Sequence, residues 1–389
     1  MTDDISVLIV DDSALMRNLI SKMVETTPGL SVVDTAMNGK FALEKIKKYN
    51  PDVIVLDLEM PEMNGIEFLR ERKKQGIKIP VIILSSVAEK GASVTMEALN
   101  LGASDFVQKP SGSISIDIAT VKDRVSELLL AYGGRYHRLN KKQSATVSAA
   151  VSVESSLVNK TVPSKTGMAA LSTFASDLGI TVRAPAQKIA PVRQTGKIEV
   201  VAIGISTGGP EALRVVFSKL DPDLKVPILV VQHMPPGFTR EFALSLDKIC
   251  PLAVKEAEEG DELIPGRILI AQGNKHLELT RENAKIFVNL SQTPQVSGHR
   301  PSADVLFASV AVTFTNHALG VIMTGMGKDG AQQLGNIYRE GGLTIGQDET
   351  SSVVYGMPRV AYELGHVMEQ VSLENMGKRI SSIAKNSRL

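Results

Sequence analysis

The residues of this chain that could carry chemistry fall at the ends of apolar runs. In VVAIGISTGGPEAL, Val200 to Leu213, an apolar strand passes into a turn where Ser206 stands among Gly204, Gly208 and Gly209. A serine in that place has three readings: an N-cap for the helix near Pro210, part of a phosphate-cradling loop, or a nucleophile on a sharp turn. The glycines let the backbone approach closely and leave N–H groups facing whatever sits above Ser206. A nucleophilic serine needs a base within hydrogen-bond reach and an acid that orients the base. VPILVVQHMPPGF places His233 at the end of the next strand, and GVIMTGMGKDG places Asp329 in the glycine-rich loop after a later one. Strand ends of one parallel sheet share a rim, and this joint placement favours nucleophilic chemistry over three separate structural roles. The other histidines compete less well. His276 opens a hairpin, and His299, in SGHRPSAD before a helix, stays a supporting or substrate-binding candidate. His317 and His366 read as solvated or boundary positions, and His137 falls in a connecting segment.

A second polar set ends the strands of the first third of the chain. Asp11 and Asp12 close SVLIVDD, Asp57 closes the third strand, Ser85 the fourth, and Lys109 the fifth. Three carboxylates gathered at one rim repel each other unless a hard cation joins them, and an oxygen-rich set of this kind suits Mg2+. Lys109 brings a mobile positive charge beside them. Each Asp alone would read as a cap or turn former; together they read as a site.

These residues need a scaffold that aligns strand ends. From Ile5 to about Gly133, short apolar strands (SVLIVDD, LSVVDTA, DVIVLDL, PVIILSS, DFVQKP) alternate with amphipathic helices, the pattern of a parallel sheet covered on both faces. The alternation resumes at Lys197 with strands IEVVAIG, VPILVVQH, GRILIAQ, ALGVIMTG and GLTIG. The segments HLELT and KIFVNL add a small hairpin, and helices are expected over PEALRVVFSKL, FTREFALSLDKI, ADVLFASVAVTF, GAQQLGNIYRE and LENMGKRISSIAKN. The expected architecture is α/β: two doubly wound parallel-sheet domains, a flavodoxin-like one over 1–133 and a Rossmann-like one with a hairpin over 197–389. Residues 134–196 read as a basic tether rich in Ser, Thr and Val, with a weak helix around Met168 to Leu178.

Bulk properties exclude several classes. A chain of 389 residues with a net charge of +1 gives no general reason to expect nucleic acid or an anionic membrane as partner. With one cysteine, Cys250, neither an internal disulfide nor a CxxC metal or redox pair is available, which fits a reducing cytosol. The start, MTDDISVLIVDDS, lacks the pattern of a signal peptide, and no apolar run approaches the roughly 20 residues of a membrane span. A cytoplasmic protein is expected. A DNA-binding output would leave GISTGG, VQHMP and MGKDG unexplained. A nucleotide-dependent oxidoreductase lacks both the GxGxxG spacing and the acid expected on its second strand.

Across the first domain, VDDS, LDLEMPEMNG, LSS and KP resemble the receiver domain of two-component response regulators. The resemblance implies that Asp57 accepts a phosphoryl group from a chemotaxis histidine kinase. It also implies that Asp12, Asp57 and the backbone carbonyl of Glu59 hold Mg2+, with Asp11 in support, and that Ser85 and Lys109 contact the attached phosphate. Phe106 stands where that family carries an aromatic switch residue and reads equally well as core. Asn64 stands where it often has Asp.

In the second domain, GISTGGPEAL, VQHMPPGFT, GHRPSADVLF and MTGMGKDGA resemble the catalytic domain of chemotaxis protein-glutamate methylesterases. The resemblance implies Ser206 as nucleophile, His233 as base and Asp329 as orienting acid, with oxyanion contacts from the backbone at Thr207 and Met326 and no cofactor in this domain. The chain order Ser, His, Asp differs from that of α/β-hydrolases, so their fold is not implied. The implied reaction hydrolyses glutamyl methyl esters on the cytoplasmic helices of methyl-accepting chemoreceptors, releases methanol, and extends to glutamine deamidation. The receiver is then expected to cover the Ser206 rim until Asp57 is phosphorylated.

Overall fold

The structure is a computed structural model and describes residues 4–85, 89–109, 115–153 and 190–389. Five parallel strands, β1 (Ile5–Val10), β2 (Leu30–Ala36), β3 (Val53–Asp57), β4 (Val81–Ser85) and β5 (Asp105–Gln108), form the first sheet in the order β2-β1-β3-β4-β5. Side chains alternate between faces along each strand. Val7, Ile9, Val53 and Val55 pack with α1 (Ala14–Glu25) and α5 (Ser115–Val153); Leu8, Val10, Ile54 and Leu56 pack with α2 (Gly39–Tyr49), α3 (Gly65–Lys74) and α4 (Glu89–Asn100). Both faces are covered, which is why these strands read as unbroken apolar runs.

The second sheet has seven parallel strands: β6 (Val200–Ile205), β7 (Ile228–Gln232), β8 (Ala253–Glu256), β9 (Arg267–Ile270), β12 (Ala318–Ile322), β13 (Leu343–Gln347) and β14 (Glu369–Val371). Their order is β14-β13-β12-β6-β7-β9-β8, so the chain changes direction across the sheet between β6 and β12. One face carries α6 (Gly209–Phe217), α7 (Phe238–Asp247) and α11 (Leu373–Asn386). The other carries α8 (Ala303–Phe314), α9 (Ala331–Arg339), α10 (Met357–Glu363) and the antiparallel hairpin β10 (His276–Glu282) with β11 (Lys285–Ser291). The expected fold class is what the chain adopts.

Three local expectations change. The edge strands β8 and β14 and the short α10 were not anticipated, because strands of four and three residues and a helix of seven are too short to show a period. No break occurs at Gly134: α5 runs through both glycines to Val153, and a side chain at Gly133 would collide with Ile5 and Val53. Glycine there admits the helix close to β1 and β3. His137 accordingly rides on α5, 3.0 Å from the Asp52 carboxylate. Before Lys197 the chain is already docked, with Val192 N–H donating to the Arg339 carbonyl (2.7 Å) and Gly196 N–H to that of Asn316 (3.0 Å). The helix expected around Met168 to Leu178 lies outside the described residues.

Candidate functional site

Ser206, His233 and Asp329 follow β6, β7 and β12 and meet in the crevice outside the carboxyl ends of the sheet, where its strand order reverses. His233 Nδ1 lies 3.0 Å from Ser206 Oγ, and His233 Nε2 lies 2.7 Å from Asp329 Oδ2. An ionised carboxylate only accepts, so Nε2 carries the ring proton and the Nδ1 lone pair faces the serine. The two nitrogens are thus used in the reverse of the chymotrypsin order.

The serine turn is held from both sides. Ser206 N–H donates to the Thr324 carbonyl at the end of β12 (3.0 Å), and Gly209 N–H closes the turn on the Ser206 carbonyl (2.8 Å). Gly208 has φ of +83°, open to glycine at no steric cost, and a side chain at Gly209 would run into the carboxamide of Gln232. That carboxamide donates 3.1 Å bonds to the carbonyls of both Ser206 and His233, bracing the nucleophile loop against the base loop. The backbone N–H groups of Thr207 and Met326 find no acceptor among the described residues.

Asp329 is almost wholly buried and fully bonded. Oδ1 accepts the Ser302 hydroxyl (2.6 Å) and Asp304 N–H (3.2 Å); Oδ2 accepts Ala303 N–H (2.7 Å) besides His233. The carboxylate therefore caps α8 from another loop, while Ser302, at the N-cap position, turns its own hydroxyl to Asp329. Burial alone would raise the Asp329 pKa. The His233 bond and charge, with the Ser302 and Ala303 donors, outweigh it and hold the group below its ordinary value.

In the first domain, oxygens of Asp11, Asp12 and Asp57 lie within 4.8 Å of one another, with Asp12 exposed and the other two buried. Lys109 Nζ sits 2.9 Å from Asp57 Oδ2 and 3.3 Å from Asp11 Oδ2. Burial raises the Asp11 carboxyl, against the pull of Lys109, and the neighbouring Asp57 adds to the rise. Lys109 moves up despite its burial, because Asp57 and Asp11 favour the ammonium. Such crowded oxygen donors fit a hard divalent cation. The Ser85 hydroxyl lies 2.6 Å from that of Thr95, Glu59 is exposed beside Asp57, and Asn64 caps α3 in a capping box with Glu67.

The profile of the CheB methylesterase family matches residues 201–380, and that of the response regulator receiver domain matches 7–119. A protein of Treponema denticola named protein-glutamate methylesterase/protein-glutamine glutaminase is 58% identical over 383 residues, 98% of this chain and 99% of that one. A Treponema pallidum protein of the same name is 49% identical over 99% of this chain and 98% of its own. The chain belongs to the protein-glutamate methylesterase/protein-glutamine glutaminase family. The crystal structure of the Thermotoga maritima CheB methylesterase catalytic domain is 37% identical and spans 48% of this chain and all of its own, with a TM-score of 0.47.

In this methylesterase-family chain the receiver grips the serine turn directly. Thr207 Oγ1 accepts from Arg124 (2.8 Å) and donates to Glu127 (2.8 Å), both on α5, and Gly208 N–H donates to Asp105 on β5 (3.2 Å). The next residue, Phe106, stacks on Phe238 at the start of α7, ring centroids 4.7 Å apart. One buried apolar cluster runs on from receiver to methylesterase domain through this contact. Asp105 is enclosed, so desolvation raises its pKa even with the Arg124 cation nearby.

Among the histidines, His276 is buried at the hairpin start, where Nδ1 accepts Ser302 N–H (3.2 Å) and Nε2 meets the Pro294 carbonyl. His366, expected at a boundary, is buried with Nδ1 2.8 Å from the Ala331 carbonyl. His299 lies against His233. Ser302, Gln232, Asp105, Arg124 and Glu127 had no sequence signal as functional positions, although S-x-D before an apolar run does announce a helix start.

Ser302→Ala should cost about 1.5–3 kcal/mol of stability, the usual worth of a bond to a charged group. It should also lower kcat about tenfold as the carboxylate loosens, roughly 1.4 kcal/mol of barrier. Denaturant titration and initial rates check both. A hydroxyl serving only the helix end would leave kcat unchanged.

Proposed function

We propose that the chain is a phosphorylation-controlled hydrolase that removes methyl esters from glutamyl side chains of chemoreceptors, releasing methanol, and deamidates receptor glutamines at the same site. The observation that carries this reading is the continuous chain Ser206 Oγ, His233, Asp329, at 3.0 and 2.7 Å, in a chain of this family.

Ser206 Oγ attacks the ester carbonyl while its proton passes to His233 Nδ1. Asp329 holds the opposite Nε2–H and stabilises the imidazolium that results. The oxyanion develops under the free N–H groups of Thr207 and Met326, donors of a kind worth roughly 2.7–4 kcal/mol each in other hydrolases. Collapse expels the methoxy group, which takes the proton back from His233 and leaves as methanol. Water, deprotonated by the same imidazole, then cleaves the glutamyl-serine ester and restores the hydroxyl. With a glutamine side chain the leaving group is ammonia.

In the receiver, Asp57 would accept the phosphoryl group from a histidine kinase, and Asp12, Asp57 and the Glu59 carbonyl would hold Mg2+ with Asp11 in support. Bound there, the cation supplies charge that neutralises the phosphoryl oxygens. Lys109 and Ser85 would contact them. Lys109 N–H donates to the Ser85 carbonyl (2.7 Å), so a change at Asp57 reaches β5, whose Asp105 and Phe106 touch the second domain. We read the unphosphorylated state as closed and inhibited. Among the described residues no helix is long and apolar enough to cross a membrane, and we assign the protein to the cytoplasm, acting on receptor domains there.

Methanol release from methylated chemoreceptor membranes, with and without a small-molecule phosphodonor, tests the reading. Wild type should be active and stimulated, and Asp57→Asn should keep the basal rate without responding. Wild type that releases no methanol in either state overturns it.

A further inference from the structure

One histidine that the reaction above leaves idle, His299, lies against the base. Its imidazole lies flat on that of His233, with ring centroids 3.8 Å apart and planes 13° from parallel. The backbone that carries it is fixed on both sides. Val296 and His299 exchange two hydrogen bonds (3.1 and 2.9 Å) across the two-residue turn Ser297 and Gly298, whose φ values are +53° and +81°. The following Arg300 is tied by its guanidinium to Asn274 Oδ1 (3.1 and 2.8 Å) and to the carbonyls of Gln292 (3.0 Å) and Thr293 (2.9 Å). Two residues further, Ser302 and Ala303 bond Asp329. One loop therefore faces the His233 ring and secures the carboxylate at its far nitrogen.

Resting on the hydrolase reading, we propose that His299 is a positioning residue: its ring fixes the plane of His233 and offers an uncharged π face to the imidazolium formed when Ser206 gives up its proton. A ring held at one nitrogen by Asp329 can still swivel about that bond, which would carry Nδ1 away from Ser206. A flat plate against its face removes that freedom. A cation lying on an aromatic face is also favoured over one against an aliphatic wall. The plate must stay neutral to serve. Burial, then the proximity of His233, lowers His299 to about 4, with Arg124 pushing the same way and Asp329 opposing, so it is uncharged at any pH above about 5. Its ring nitrogens bond to no described residue, so its use here is its plane.

The experiment uses the full chain with phosphodonor and methylated receptor membranes, and compares His299→Ala, His299→Phe and His299→Gln with wild type. His299→Ala should lower kcat by about 10- to 100-fold with KM changed less than about threefold, the pattern of a lost contribution specific to the transition state. His299→Phe should return kcat to within about threefold of wild type, and His299→Gln should not. The Nε2–H proton resonance of His233 should broaden or vanish in the alanine variant and reappear in the phenylalanine one, a signature that packing alone would not govern. The acid side of the kcat profile of His299→Phe should overlay that of wild type, since a neutral His299 contributes no charge there. A phenylalanine variant as slow as the alanine one, an effect on KM in place of kcat, or an alanine variant at full speed overturns the proposal. A silent wild type instead overturns the hydrolase reading, so the two failures are distinguishable.

Discussion

Ser206→Ala should lower kcat for methanol release by about a million-fold, the loss seen when a serine hydrolase is stripped of its nucleophile, with an unchanged thermal midpoint. Asp329→Asn should fall well short of that, and the reason lies in the donors around the carboxylate. Elsewhere this substitution costs about 10⁴ because the amide NH2 turns to the histidine and enforces the wrong tautomer. Here the Ala303 N–H (2.7 Å) meets the oxygen that His233 uses, so an asparagine keeps its Oδ1 at that position and points its NH2 at the Ser302 hydroxyl, which can accept, giving up only the longer bond from Asp304 N–H (3.2 Å). The tautomer survives and the charge is lost, so the expected drop is about 10²–10³. Initial rates and the His233 Nε2–H resonance check this. Loss of 10⁴ together with that resonance would show the amide in the other orientation. The pH dependence has a definite sign. The folded Asp329 carboxyl has a lowered pKa, so its contribution to stability is complete above the unfolded value of about 3.9 and is lost as pH falls through the lower folded one. The stability gap between wild type and Asp329→Asn should close over that acid window.

The double substitution Arg124→Ala with Glu127→Ala should raise the unphosphorylated rate by about tenfold or more and shrink the stimulation by phosphodonor. These residues supply the two receiver contacts to the Thr207 hydroxyl, and Arg124 also bonds Glu127 (2.6 Å). Removing both leaves no orphaned charge between them, and losing about 1–3 kcal/mol from a closed state multiplies the open population by roughly 5- to 150-fold until it saturates. Methanol release without phosphodonor is the measurement. A double variant as slow as wild type would remove the basis for reading this contact as inhibitory.

Legibility in the sequence followed locality. Parallel strands buried on both faces announce themselves as apolar runs, and each site residue closes such a run or lies in the loop that follows it, so Ser206, His233, Asp329 and the Asp11, Asp12, Asp57, Lys109 group could be placed from the chain alone. Partnership across long separations could not. The Thr207 contacts to Arg124 and Glu127 join positions 83 and 80 residues apart, and nothing local to SELLL or GISTGG records the match. Ser302 was hidden differently. It occupies an N-cap position and looks like a cap, and only the geometry shows its hydroxyl committed to Asp329. The boundary expected at 134 misled for a related reason: the Ser-, Thr- and Val-rich composition reads as a tether when no neighbour is visible, yet α5 continues past Gly133, where Ile5 and Val53 leave no room for a side chain.

The bond from Gly208 to Asp105 also runs in the other direction. If phosphorylation weakens the receiver's hold on the serine turn by some factor, thermodynamic reciprocity requires that whatever fills the crevice above Ser206 favours the phosphorylated receiver by that same factor. A receptor helix engaged at the methylesterase face would then act as an effector of Asp57, shifting its phosphorylation equilibrium toward the acyl phosphate. The switched-on form would be most populated where its own substrate is densest.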